Sequence, residues 1–306
     1  MRLTYKGSDI YKDVSVNYCV HEMYAEKQSD TLVVRFNDPK GAWSKWNPQT
    51  GDEITFEKES SRTGRMYIHS LRPENGLYTI RAMSMPISGK VRQSRSWEGL
   101  RFLRLGNQIA EAHGLTFKNY GCADYLYSYM AQRNETDFEL FYRVCIPDGN
   151  QMLIFDGNLI AYNEQQIEAQ TPAGTLTVGD DGVFTYEDIS NQSYGSAEVA
   201  SGIYSGTFID PNAKSTRLLR PEVPLQVTSN AEAARFARGL LRNANKNEKN
   251  GTFARDLMLG YAAASVIRLE TPKASAWNGP VFVTKVRHDY IANKSTIYFR
   301  KPLEGY

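Results

Sequence analysis

Apolar and polar residues alternate through much of the first 90 positions of the chain. Gly, Pro and Asn residues separate these segments, as in the Pro-Glu-Asn-Gly stretch at 73–76. Period-two segments divided in this way predict an antiparallel sheet or barrel, with no helix of useful length before residue 95. The predicted strands lie at 14–20, 31–36, 52–57, 66–68 and 77–83.

The hydrophobic period lengthens at Ser96, where apolar residues begin to recur about every 3.6 positions. Ser96 is suited to the N-cap, and Gly114 is suited to the position just after the C-terminus. The pattern therefore predicts a helix over 97–112. A short strand at 115–117 and one or two helical turns at 125–132 are predicted to follow.

Two strong local signals come next along the chain. Thr136 and Glu139 have the spacing of a capping box, so a helix is expected to start there and to end by Pro147. Apolar runs at 152–155 and 159–162 flank an Asp-Gly dipeptide. Asp-Gly between two apolar runs predicts a tight β-hairpin.

Strand-like segments return after residue 164, interrupted by one amphipathic helix. Asn230 is the expected N-cap of that helix, which is predicted over about 231–247 because Gly251 ends it. Residues 193–205 are rich in Ser, Gly and Ala and are predicted to form a loop. The closing strands are predicted at 265–270, 281–286 and 296–299, with a turn at 293–294.

These changes of period divide the chain into a β-rich part at 1–92, a small α/β insert at 93–163 and a β-rich part at 164–306. The predicted fold class is therefore α+β and mainly β. The expected core of the insert is Trp97, Leu100, Leu103, Ile109, Phe138, Phe141 and Ile154.

Composition narrows the class of protein. The chain has 306 residues, 41% of them hydrophobic and 23% charged, which is typical of a folded globular protein. No apolar run approaches the ~20 residues of a membrane span, and the first residues lack a secretory apolar region, so we expect no membrane insertion.

Three cysteines without a CxxC motif indicate reduced thiols in a protein made in the cytoplasm. An aromatic content of 12%, mostly tyrosine, favours a β-rich protein with subunit contacts.

No motif for catalysis or cofactor binding is present in the sequence. The four histidines have no metal-ligand partner at nearby positions, and glycine-rich phosphate loops and the GxSxG motif are missing. Paired acidic residues lie in or beside turns, where solvated carboxylates are ordinary. We therefore predict no catalytic residues, no cofactor and no metal site.

The remaining candidates are interface residues. Arg235, Arg238 and Arg242 share one helix face, which suits a nucleic-acid site, a solvated face or ion pairs between subunits. The formal net charge is only +2, which favours the last two readings over DNA binding. Tyr194 and Tyr204, in the small-residue segment, are the other interface candidates.

Five segments, in this order, resemble the phage tail hub family, the late control gene D group that includes baseplate hub proteins of contractile tails. The resemblance spans residues from about 10 to 301. The segments are MPISGK at 85–90, IAEAHGL at 109–115, YMAQRNETDFEL at 129–140, NAEAARFAR at 230–238 and VRHDY at 286–290.

The resemblance implies two tail-tube-like β-barrels per chain, with the α/β insert between them. It implies a homotrimeric ring of pseudo-sixfold symmetry between the sixfold tail tube and a threefold spike or tip protein. Other baseplate proteins and the tape-measure protein are further implied partners, and DNA passes through the ring without specific binding. The implied location is the tail baseplate of a virion assembled in the host cytoplasm. The alternatives are a tail-tip cell-wall hydrolase and a receptor- or carbohydrate-binding tail protein.

Overall fold

The computed structural model describes residues 1–27 and 29–306. The predicted strands of the first 90 residues are all present, and three short strands and a five-residue helix accompany them. The helix carries Trp43, whose buried ring stacks on Tyr78 and lies 4.5 Å from the ring of Phe36. The elements are β1 (Arg2–Tyr5), β2 (Ser8–Asp9), β3 (Ser15–Tyr24), β4 (Thr31–Asn37), α1 (Ala42–Trp46), β5 (Glu53–Lys58), β6 (Ser61–Arg62), β7 (Met66–Glu74) and β8 (Leu77–Met83).

The middle of the chain contains the predicted capping box, which is confirmed. The Thr136 side chain accepts from the Glu139 backbone N–H, and the Glu139 carboxylate accepts from the Thr136 N–H. The predicted hairpin around Asp156-Gly157 is also confirmed. The elements are β9 (Arg92–Arg101), α2 (Phe102–Ala112), β10 (Thr116–Tyr120), β11 (Leu126–Thr136), α3 (Asp137–Cys145), β12 (Asn150–Phe155), β13 (Asn158–Asn163) and α4 (Glu164–Glu168).

Two predictions for this part were wrong. The helix predicted over 97–112 begins only at Phe102, and the helical turns predicted at 125–132 are part of strand β11. The two segments pair with each other as an antiparallel ribbon, in which Gly99 has a φ of +61° that helical residues do not adopt. Pairing between distant segments has overridden local helix periodicity here.

The last part contains the predicted amphipathic helix and the three closing strands. The helix is capped by Ser229, whose side chain accepts from the Glu232 N–H, and not by Asn230 as predicted. Residues 193–205, predicted as a loop, include a strand and the turn of a hairpin. The elements are β14 (Thr175–Thr177), β15 (Val183–Asp188), β16 (Ser196–Ser201), β17 (Tyr204–Ile209), β18 (Leu218–Leu219), α5 (Asn230–Asn245), β19 (Lys249–Asp256), β20 (Ser265–Glu270), β21 (Gly279–Asp289) and β22 (Lys294–Arg300).

One sheet of fourteen strands runs through both β-rich parts of the chain. Its strand order is β15-β19-β22-β21-β3-β4-β8-β7-β5-β1-β2, with β20 on β21, β14 on β20 and β6 on β5. The antiparallel pair β3–β21 is the link between the two halves. The fold is therefore mainly β, and within residues 1–27 and 29–306 no sheet closes into a barrel through its strand pairings.

Within the described chain, four hydrophobic clusters lie in the interior, the smallest of them formed by Ala25, Tyr162, Val266 and Phe282. One lies within the first eight strands, and a second lies among β14, β19, β20, β21 and β22. The third joins the insert to α5 and to β16. Five of the seven predicted insert core residues are buried in this third cluster, while Trp97 and Leu103 are partly buried against it. The insert thus shares its core with residues far beyond 163.

Candidate interface surfaces

Helix α5 does not present its three arginines as one stripe. Arg235 Nε lies 2.7 Å from the buried carboxylate of Asp148, and its guanidinium lies 3.7 Å from the ring centroid of Tyr125. Arg238 is exposed and donates a hydrogen bond to the Gln165 side chain. Arg242, in contrast, is buried. All three predicted interface arginines therefore bind groups of their own chain, two of them in ion pairs, and Arg238 is the one that is exposed to solvent.

Arg242 belongs to a buried ion cluster between α4, α5 and the end of β22. Its guanidinium lies 2.6 Å from Glu168, while Arg300 lies 2.9 Å from Glu164 and 2.5 Å from Glu168. Lys246, just after α5, contacts Glu164 as well. All five side chains are almost completely buried.

The charges in this cluster compensate one another, because Glu26, which also contacts Lys246, adds a third carboxylate to match the three cations. Burial alone would raise the pKa of Glu164, but Arg300, Lys246 and Arg242 together lower it below its ordinary value. Burial likewise disfavours a charged Arg300, yet the neighbouring glutamates raise its pKa. The cluster is therefore ionised, and it fixes α4 and α5 against the large sheet.

The hairpin β16–β17 lies on α5 and carries one of the predicted tyrosines. Gly206 makes this packing close, since a Cβ there would lie 2.1 Å from the backbone N of Ala234. Tyr204 is half-buried, whereas its neighbour Ile203, at the turn, is 88% exposed. Tyr194 precedes the hairpin and is held by backbone hydrogen bonds to the Asn245 side chain. The hairpin therefore presents two apolar side chains to solvent, Ile203 at its turn and Ile209, which is 68% exposed, at the end of β17.

Strand β15 is an edge of the fourteen-stranded sheet. In the part of the chain that the structure describes, it pairs only with β19. Val183 is 66% exposed and Tyr186 is 55% exposed, while Phe184 between them packs towards the core. An edge with exposed apolar side chains is suited to pairing with another chain.

The ribbon β9–β11 carries the other basic stretch of the sequence. Arg92 pairs with Glu139, and Arg95 Nη2 lies 2.6 Å from Asp137. Arg143 pairs with Glu135 in the same region. Because carboxylates compensate these arginines, the ribbon does not form a basic patch of the kind that binds nucleic acid.

A Ser-His-Asp arrangement that the sequence reasoning missed lies beside this ribbon. Ser88 Oγ is 2.8 Å from His113 Nδ1, and His113 Nε2 is 3.1 Å from Asp137 Oδ2. Burial opposes ionisation of Asp137, but hydrogen bonds from His113 and Gln132, together with the charge of Arg95, hold its pKa at about 2. The His113 side chain is only 5% exposed and packs on Phe138, so its imidazole is closed to a substrate. We assign the cluster a structural role, tying the turn at 87–90 to α2 and α3.

Metal-ligating side chains and cysteine thiols are the other groups of the described residues that could carry chemistry. Within them, no group of three or more His, Cys, Asp or Glu residues is placed to hold a metal ion. Cys19, Cys122 and Cys145 are free and buried, and burial raises the pKa of all three thiols. No helix of the described chain is both long and apolar enough to span a membrane.

Comparison with protein-family models and with curated proteins gives no match. Solved structures do match over the whole chain. A 43 kDa tail protein of prophage MuSo2 from Shewanella oneidensis has a TM-score of 0.76 at 11% identity, covering 98% of each chain. A tail protein from Neisseria meningitidis has a TM-score of 0.76 at 10% identity, covering 98% of this chain and 95% of that one. The E. coli c3393 protein, a component of the type VI secretion system, has a TM-score of 0.66 at 12% identity and covers 100% of this chain and 78% of its own. At such identities the likeness establishes the fold, which is one found in phage tail and secretion-system proteins.

Proposed function

We propose that this chain is a structural protein of a phage or phage-derived tail, and that three copies of it form a hub ring in the baseplate. The observation that carries the proposal is the likeness of the fold, end to end, to a prophage tail protein. The role is structural rather than enzymatic, so the function lies in surfaces and assembly. The interior ion pairs and the exposed sheet edge described above support that view.

In this proposal each protomer supplies two tube-like barrel units, one from residues 1–92 and one from the strands after 164. The two separate cores at either end of the fourteen-stranded sheet support the division. The insert at 93–163 lies outside the ring, and the shared core places α5 and the β16–β17 hairpin beside it. Six units from three chains give a ring with pseudo-sixfold symmetry, which meets a sixfold tail tube on one face and a threefold spike on the other.

In this arrangement each exposed surface contacts a particular partner. The edge strand β15 contacts the next copy, because a ring needs a heterologous contact that closes. The Ile203 turn, with Tyr204 and Tyr194 behind it, contacts the tube or the spike. Arg238, whose guanidinium lies 6.0 Å from the ring centroid of Phe208 in the same hairpin, is the exposed charged group proposed for this contact. DNA and the tape-measure protein pass through the bore, in a virion tail baseplate assembled in the host cytoplasm.

The experiment is a measurement of mass in solution, followed by electron microscopy. The purified chain should sediment as a species of three times 34.6 kDa and appear in micrographs as a ring with six lobes. Tyr186→Lys, on β15, should dissociate the ring because it puts a charge on the contacting edge. Tyr129→Lys is the matched control, since Tyr129 is similarly exposed but lies on the ribbon.

A chain that stays monomeric at every concentration tested, including in the presence of tube and spike proteins, would refute the hub ring. A trimer that resists Tyr186→Lys but dissociates with Tyr129→Lys would move the interface to the ribbon. Degradation of cell walls in a zymogram would instead support the tail-tip hydrolase, and binding to host glycans the receptor-binding alternative.

A further inference from the structure

A cavity of about 510 Å³ lies where the two β-rich parts meet the insert. Its wall comes from the end of β3, from β6, from β12 and β13, and from the loop at 260–264. That volume lies within the range of ordinary ligand pockets. None of the surfaces proposed above for ring assembly includes it.

The lining combines aromatic rings with small apolar side chains. Four tyrosines contribute to it, together with Phe155 and three successive alanines at 262–264. Three of the tyrosine hydroxyls are already used, since Tyr162 donates to the Ala25 carbonyl, Tyr261 donates to the Thr175 carbonyl and Tyr24 donates to the Glu22 carboxylate. The lining tyrosines are Tyr24, Tyr120, Tyr162 and Tyr261.

Among the described residues, Asp30 is the one acidic residue in the lining of this cavity and Arg62 is the one basic residue. Asp30 is only 5% exposed, and its Oδ1 accepts a hydrogen bond from the Tyr24 backbone N–H at 2.8 Å. No Lys, Arg or His among the described residues comes within 4 Å of its carboxylate, and Lys285, which lies over the Tyr24 ring, is engaged by Glu22 at 2.8 Å. Burial raises the pKa of Asp30 to about 7, although the Tyr24 N–H acts in the opposite direction. A buried carboxylate without a cation is unfavourable, so this position favours a cationic ligand.

We propose that the cavity receives a lysine or arginine side chain from a partner protein. Its ammonium or guanidinium group pairs with Asp30, and its aliphatic stem packs on the alanines and Phe155. The tyrosine rings provide the faces that attract a desolvated cation. The carboxylate excludes an anionic ligand, and with a neutral apolar side chain Asp30 would take up a proton instead of gaining an ion pair. This inference does not depend on the trimeric ring, because the cavity lies within one chain.

The test uses two acetylated and amidated tripeptides, Gly-Lys-Gly and Gly-norleucine-Gly, titrated into the full chain. Binding is followed by the NMR shifts of the alanine methyl groups at 262–264. Asp30→Asn keeps an acceptor for the Tyr24 N–H but removes the charge. Asp180→Asn is the matched control, since Asp180 is exposed and lies outside the cavity lining.

The lysine peptide should shift these methyl signals saturably and bind at least tenfold more tightly than the norleucine peptide. Asp30→Asn should reduce its affinity at least tenfold, which corresponds to about 1.4 kcal/mol, and Asp180→Asn should leave it unchanged. Equal affinity for the two peptides, full binding by Asp30→Asn, or no saturable shift with the lysine peptide would each overturn the proposal. A chain that stays monomeric even in the presence of tube and spike proteins, but still binds the lysine peptide through Asp30, would refute the hub ring and leave this inference standing.

Discussion

Two buried histidines face each other across the strand pair that joins the halves of the sheet. His21 on β3 is in register with His288 on β21, and both side chains are fully buried. His288 Nδ1 is 2.7 Å from Ser295 Oγ, and His21 Nδ1 is 3.5 Å from the Tyr290 hydroxyl. We predict that this pair makes the fold sensitive to mild acid, and that His21→Gln removes about half of the effect.

The magnitude follows from the two pKa values. Burial lowers the pKa of His21 from 6.5 to about 3, with a contribution from His288, and burial lowers that of His288 to about 4. Between these values and 6.5 the unfolded chain binds protons that the folded chain does not, so stability falls as pH falls. Each group contributes ~1.4 kcal/mol per pH unit, which gives ~2 kcal/mol for His21 between pH 6 and pH 4.5. Asp30, with its raised pKa, changes the stability in the opposite direction over the same pH range. The quantity to compare is therefore the difference in unfolding free energy between the original chain and His21→Gln.

The assay is urea unfolding of the original chain and of His21→Gln at steps between pH 7 and pH 4.5. As the pH falls from 6 to 4.5, the unfolding free energy of His21→Gln should rise by ~2 kcal/mol relative to that of the original chain. His69→Gln is the control, because His69 is only partly buried and its pKa is lowered less. If the unfolding free energies of the original chain and His21→Gln fall in parallel with pH, the reasoning is refuted.

Four further outcomes can be checked. Arg300→Met should cost ~3–5 kcal/mol in urea unfolding, because it removes the one cation of the described residues that lies within 3 Å of both buried glutamates of α4 and leaves the cluster a positive charge short; a loss below ~1 kcal/mol would show that water or another cation replaces it. Thr136→Ala should cost ~1 kcal/mol through loss of the capping box, measured in the same way. Trp43→Ala should cost ~3–5 kcal/mol, because the indole is buried among aromatic rings, and a small effect would contradict that packing. In filter binding at ~150 mM salt the chain should show no sub-micromolar affinity for duplex DNA, given a net charge of +2; tight binding abolished by Arg238→Glu would contradict an inert conduit.

Signals contained in a short stretch of sequence predicted structure well. The capping box at Thr136 and the Asp-Gly turn both appear as expected, since each is stabilised by bonds within a few residues. The segment at 97–101 was predicted as helix although it is strand, because its partner, β11, begins 25 positions after β9 ends. Periodicity within one window carries no information about such a partner.

The candidate surfaces were harder to predict than the elements. The spacing of the α5 arginines gives a common face, but it cannot indicate that Asp148 and Glu168 lie against that face in the folded chain. Likewise, the small residues of 193–205 suggested a loop, whereas the packing of Gly206 on α5 depends on the absence of a side chain. These features arise from contacts between distant parts of the chain. Such contacts determine which charged side chains remain exposed.

The link between β3 and β21 also determines when the fold can be completed during synthesis. Tyr290 and His21, in contact across this link, are 269 residues apart in sequence. At ribosomal speeds of ~5–20 residues per second, β3 waits on the order of tens of seconds for its second neighbour. During that interval its edge is open to other nascent chains. Co-translational aggregation should therefore be the main hazard of production, and truncations that remove β21 should leave that hazard permanent.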